Sequence, residues 1–159
     1  MRALLVIDMQ EDYVGENRNR KQFPYHPEIL IPRINQRIER FSSEGNLVVY
    51  ILNRFFYQSK KYIPQLVQGL NIASDRTFVK NRANCFSNRE LTCYLCENNV
   101  SAVETVGVDG NYCVAVSARA GVKEGFSVLF NQRCVEAAKT DRLGKTITRL
   151  KAANVTVQE

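Results

Sequence analysis

The chain has 159 residues, of which 45% are hydrophobic and 24% charged, with a formal net charge of +6. That is enough chain to bury one ordinary core, and no apolar run approaches the roughly 20 residues a membrane helix needs. The basic residues are scattered among acidic ones, with no Lys/Arg stripe interleaved with aromatics, which argues against nucleic-acid binding.

The opening Leu4-Leu5-Val6-Ile7-Asp8 is too short for a secretory signal and lacks a small-residue cleavage site, so residues 3–7 read as a buried first strand. The expected location is the cytoplasm. Five cysteines, an odd number, are accordingly expected as reduced thiols. Pro27-Glu28 opens a helix with Ile31, Ile34, Ile38 and Phe41 on one face, and Gly45 stands where a C-terminal cap belongs. Residues 47–52 form a second strand, and a short helix is expected over 63–69 before a third strand, Thr77–Lys80. Asn88 with Glu90 starts a helix that carries Leu91, Tyr94 and Leu95 inward, with Cys93 and Cys96 placed on its apolar face as core residues. Further strands are expected at 102–106, 126–130 and 155–157, with helices over 111–124 and from Thr140 onward.

Strands that alternate with helices and are apolar on both faces predict a parallel sheet covered on both sides. The predicted fold is α/β, a three-layer α/β/α (Rossmann-like) arrangement with a central, mostly parallel sheet of about six strands. One domain is expected, over residues 1–159. In such folds ligands sit beyond the C-terminal strand ends, which shortlists Asp8, Asn53 with Arg54, Lys80, and the run 107–113.

Asp8 and Lys80 each interrupt an apolar strand at that end, and Cys113 follows the fourth strand at the start of a helix. A thiol there meets unpaired backbone N–H groups and the positive end of the helix dipole. A neighbouring lysine acts in the same direction, so a lowered thiol pKa is expected. The chain has a single histidine, His26, placed in a loop before the first long helix, which argues against a Ser-His-Asp site and rules out a multi-histidine zinc site. No Gly-rich phosphate loop follows the first strand. What remains is a Cys/Lys/Asp site, with neither a metal nor an organic cofactor expected.

These segments resemble the isochorismatase-like cysteine hydrolases, a family that includes nicotinamidases and N-carbamoyl amide hydrolases. The resemblance rests on three motifs in order: the first strand through Asp8 to Tyr13, Lys80 followed by Asn84-Cys85-Phe86-Ser87, and Gly107-Val108-Asp109-Gly110-Asn111-Tyr112-Cys113-Val114. It implies that Cys113 attacks an amide-type carbonyl to give a thioester, that Asp8 moves protons, and that Lys80 holds the thiolate and orients Asp8. It also implies a cis peptide before Asp109, with the N–H groups of Asp109 and Cys113 as the oxyanion hole. Nicotinamidases of that family hold a metal through Asp and His after the second strand, whereas here that stretch reads Leu52-Asn53-Arg54-Phe55-Phe56.

The substrate expected is a small molecule with an amide, carbamoyl or ureido C–N bond. Arg54 or Arg82 is a candidate for an anionic handle on it. Tyr13, Phe55 and Tyr112 are candidates for the wall of the pocket. Three alternatives stay open: vinyl-ether hydrolysis of the isochorismatase type, a catalytically silent relative that binds a metabolite or protein, and a thiol redox protein. From the resemblance a homo-oligomer, dimer or tetramer, is expected.

Overall fold

A computed structural model describes residues 1–159. Six strands form its sheet: β1 (Arg2–Ile7), β2 (Leu47–Asn53), β3 (Thr77–Lys80), β4 (Ala102–Val108), β5 (Ser127–Glu136) and β6 (Thr156–Gln158). They lie in the order β3-β2-β1-β4-β5-β6, and every pairing is parallel. The helices are α1 (Glu11–Val14), α2 (Pro27–Ser43), α3 (Arg89–Glu97), α4 (Cys113–Lys123) and α5 (Leu143–Ala152).

The strand period of two sorts side chains to opposite faces. Ala3, Leu5 and Ile7 of β1, with Val49 and Ile51 of β2, join a core that includes Leu91 and Leu95 of α3, Val114, Ala115 and Ala118 of α4, and Leu150 of α5. Leu4, Val6, Val48 and Tyr50 point the other way, into a core with Leu30, Ile34, Ile38 and Phe41 of α2. Burying those four α2 side chains is worth about 1.5–3 kcal/mol each before entropy is charged. This is the three-layer fold read from the sequence.

The chain walks outward from β1 to β3, then returns to the other flank of β1 with β4. The C-terminal ends of β1 and β4 therefore sit side by side where the winding reverses, the place where such sheets bind ligands. Gly107 makes that closeness feasible. Its φ is +113°, and a Cβ there would run into the carbonyl oxygen of Ile7. The Val108–Asp109 peptide is cis, as the resemblance implies.

Three local expectations are corrected. No helix forms over 63–69. Pro64 has no N–H and biases Ile63 toward extended backbone, and Leu66 pairs with Gln10 in an antiparallel bridge. Cys93 and Cys96 are exposed, because the buried stripe of α3 runs through Leu91, Thr92 and Leu95; Tyr94 is only half-buried. The strand expected to end at residue 130 continues to Glu136, with its register to β4 shifted between Thr105 and Gly107. Asn88 does cap α3, its side chain accepting the Glu90 N–H.

Candidate active site

Lys80 closes β3 and is fully buried, in register with Asn53 at the end of β2. Asp8 follows β1 with φ +56°, a left-handed turn that Asp tolerates better than most residues. Cys113 opens α4, five residues after β4 ends. The topology thus brings three residues far apart in sequence to one spot. Lys80 Nζ donates to Asp8 Oδ2 at 2.9 Å and to Cys113 Sγ at 3.4 Å. The other carboxylate oxygen of Asp8, Oδ1, is buried and has no hydrogen-bond partner.

The electrostatics of this cluster differ from the sequence expectation in one respect. Burial, reinforced by the Asp8 charge, pushes the Cys113 thiol up to about 12, and the pull from Lys80 does not reverse it. Burial likewise raises Asp8 above the usual carboxylate range, although Lys80 and a hydrogen bond from Cys113 oppose it. For Lys80, burial works against the charge, but the attraction of Asp8 and then Cys113 outweighs it, so the amine stays an ammonium. One cation balances one anion. Burial thus favours a neutral thiol at rest, with the Asp8 carboxyl as the group nearest to balance the ammonium.

Gln10, which the strand-end shortlist does not include, and Asn53, which it does, support this cluster. Gln10 directly precedes α1, and its side-chain amide imitates a strand. Its Oε1 accepts the Asn53 N–H at 2.8 Å, and its Nε2 donates to the Asn53 carbonyl at 2.9 Å. Asn53 in turn donates from Nδ2 to Tyr13 Oη at 2.8 Å. The sequence places Asn53 at a strand end but offers no sign of what its side chain touches. Gln10 gives no signal at all beyond lying within the first motif.

The remaining candidates spread around the cluster. Tyr13 packs edge-on against Phe23 and Phe55, and these rings line a cleft with Tyr57, Asp12 and Arg18. Arg54 is half-buried with its guanidinium on the Lys60 carbonyl, 3.0 Å away. Arg82 is exposed, and Tyr112 is 52% exposed beside the thiol. The Asp109 carboxylate is held by Tyr25 Oη at 3.0 Å and by the N–H groups of Asn111 and Ala138. The backbone N–H groups of Asp109 and Cys113 are donated to no turn, loop or side-chain acceptor. His26 lies exposed at the start of α2, with its backbone N–H on the Glu136 carboxylate.

The fold has counterparts among known proteins. The pyrazinamidase of Pyrococcus horikoshii, solved in complex with zinc, is 23% identical with a TM-score of 0.81, covering 99% of this chain and 98% of that one. The isochorismatase-like hydrolase of Alkaliphilus metalliredigens is 22% identical with a TM-score of 0.83, covering 99% and 93%. The pyrazinamidase/nicotinamidase of Streptococcus mutans is 20% identical with a TM-score of 0.80, covering 99% and 100%. A search of curated proteins finds no significant match.

A zinc-type site requires three or four His, Cys, Asp or Glu ligands together. No three such side chains gather in this molecule, and past β2 the chain supplies Phe55, Phe56 and Tyr57. The residues present do not fit that metal. The Isochorismatase domain model matches residues 2–159, so the chain belongs to the isochorismatase domain family and is a hydrolase.

Proposed function

We propose that the protein cleaves a C–N bond of a small amide, carbamoyl or ureido molecule through a thioester on Cys113. The observation that carries this reading is the Lys80 ammonium placed between Asp8 Oδ2 and Cys113 Sγ in a buried cluster. Moving the thiol proton to Asp8 turns a carboxylate, an ammonium and a thiol into a carboxylic acid, an ammonium and a thiolate. The net charge is the same before and after, so Lys80 compensates either arrangement and the transfer does not create an uncompensated buried charge. The unpaired Asp8 Oδ1 is the atom free to receive the proton.

The thiolate then attacks the carbonyl carbon, and the developing oxyanion takes the free N–H groups of Asp109 and Cys113. As the C–N bond breaks, Asp8 returns the proton to the departing nitrogen. Asp8 next takes a proton from water, the hydroxide cleaves the thioester, and the acid leaves while the proton goes back to the thiol. The aromatic cleft of Tyr13, Phe23 and Phe55 is the route we assign to the substrate. An anionic handle on it falls to Arg82, which is exposed, or to Arg54, whose guanidinium gives one N–H to the Lys60 carbonyl and keeps its other donors.

The test is ammonia release from a panel of primary amides, carbamoyl compounds and ureides, with wild type beside Cys113→Ala. Turnover should fall by at least about 10³-fold in the variant, because loss of a nucleophile removes the covalent route. Ammonia release that survives Cys113→Ala would overturn the thioester, and a wild type that releases ammonia from none of them would bring forward a vinyl-ether reaction that needs no thiol.

A further inference from the structure

We infer that Asn53 is a positioning residue of this site, whose neutral side-chain carbonyl takes the third N–H of Lys80 and whose orientation is set by Tyr13. The inference rests on the hydrolase reading for its purpose, and on the geometry for its contact. An ammonium has three donors and no acceptor capacity. In a side chain with no solvent exposure each N–H needs a partner, because an unmade hydrogen bond to a buried charge is costly. Lys80 Nζ has three acceptors: Asp8 Oδ2 at 2.9 Å, Asn53 Oδ1 at 3.3 Å and Cys113 Sγ at 3.4 Å. Asp8 and Cys113 exchange the proton, so Asn53 is the one contact whose charge never changes.

Asn53 is also the best anchored of the three. It neighbours Lys80 across the β2–β3 ladder, and the Gln10 amide fixes both its backbone N–H and its carbonyl. Its Nδ2 gives a hydrogen bond to Tyr13 Oη, so the amide cannot turn over without pointing a donor at the ammonium. A carboxylate in this place would draw on the same positive charge that Asp8 and the thiolate share. An amide holds the ammonium between them without competing for it.

The experiment measures iodoacetamide alkylation of Cys113 against pH, with sites mapped by mass because Cys93 and Cys96 are exposed. Asn53→Asp keeps the shape and adds a charge, and should slow Cys113 alkylation at a fixed pH between 8 and 10 by about tenfold or more. Asn53→Leu, which cannot draw on the ammonium, should not slow it. If both variants keep the wild-type profile and only melt earlier, Asn53 is merely structural and the inference is overturned.

A second reading covers variants that fold poorly. Tyr13→Phe keeps the ring and loses only the hydroxyl, yet it should shift the ¹⁵N resonance of the Lys80 ammonium, to which Asn53 links it by hydrogen bonds. An unmoved resonance sinks the proposed coupling. A wild-type Cys113 that takes no reagent counts against the hydrolase reading instead, and the ammonium resonance still reports the Asn53 contact.

Discussion

The sheet carries two buried clusters of the same chemical inventory, and only one resembles a reaction centre. At the C-terminal strand ends stand a carboxylate, a cation, an amide and a thiol: Asp8, Lys80, Asn53 and Cys113. Farther down the sheet, beside α2, stand Glu104, Arg37, Asn131 and Cys134. In the second cluster the Arg37 fork engages both oxygens of Glu104, and Asn131 adds a third donor. Arg37 also lies over the Phe41 ring, which fixes it further. Each oxygen of that carboxylate thus has a donor, and the one buried polar atom of the cluster without a partner is the amide oxygen of Asn131, not the carboxylate. In the first cluster a single ammonium is divided among three acceptors, and one oxygen of Asp8 stays unpaired. Saturated hydrogen bonding makes a structural pair, whereas a shortage of donors leaves a proton free to move.

The largest effect expected from this contrast is on stability in the saturated cluster. Arg37→Met keeps the aliphatic stem but leaves Glu104, which is 2% exposed, without its cation. Breaking a buried pair in this way costs about 3–5 kcal/mol. Chemical denaturation should show that loss, while the alkylation profile of Cys113 stays as in wild type. If Arg37→Met instead changed Cys113 and spared stability, the division of labour between the two clusters would be wrong.

Both clusters also hold a thiol whose pKa burial raises, and alkaline pH separates them. Cys113 titrates at about 12 in the folded protein against about 9 for an unperturbed thiol, and Cys134 at about 11, with Glu104 adding to burial there. Between pH 9 and those values the unfolded chain has released a proton that the folded chain still holds. The stability each thiol contributes is therefore complete below pH 9 and lost as the pH rises. The slope approaches about 1.4 kcal/mol per pH unit for each such group. Urea midpoints measured from pH 8 to 12 should fall less steeply in Cys113→Ser and in Cys134→Ser. Above pH 11 only the Cys113 variant should still differ in slope from wild type, and equal slopes throughout would remove the claim that burial sets these values.

Much of the site is legible in the sequence because charge at the end of an apolar strand is conspicuous. Asp8 and Lys80 stand out against Val6-Ile7 and Phe78-Val79, and the turn-rich run into Cys113 marks the third strand end. The layers follow from the same period-two and helical patterns. What escapes is whatever depends on contacts between distant segments. The extended path of 63–69 is decided by pairing of Leu66 with Gln10, and the exposure of Cys93 and Cys96 by how α3 is rotated about Leu91 and Leu95. The same limit hides Gln10 and Asn53, whose amides are ordinary in sequence and act only across the β1–β2 gap. The direction of the Cys113 pKa is missed for a related reason. The helix terminus and Lys80 are visible in one dimension, but the depth of burial, which outweighs both, is not.

The smallest effect tests how the nucleophile turn is held. Tyr25 Oη donates to Asp109 Oδ2 at 3.0 Å, and the same oxygen accepts the Ala138 N–H. Asp109 Oδ1 accepts the Asn111 N–H, so one carboxylate ties the loop before α2, the end of β5 and the turn leading to Cys113. Tyr25→Phe removes one of these ties and keeps the ring against Phe23. The expected cost is about 1 kcal/mol of stability, that of one hydrogen bond. Because two backbone ties on Asp109 remain, the backbone N–H groups of Asp109 and Cys113 should keep their direction. Turnover should then drop only a few-fold, in contrast to the loss in Cys113→Ala. A Tyr25→Phe variant as inactive as Cys113→Ala would mean that the phenol itself takes part in the chemistry, and the unsaturated cluster would have to be redrawn to include it.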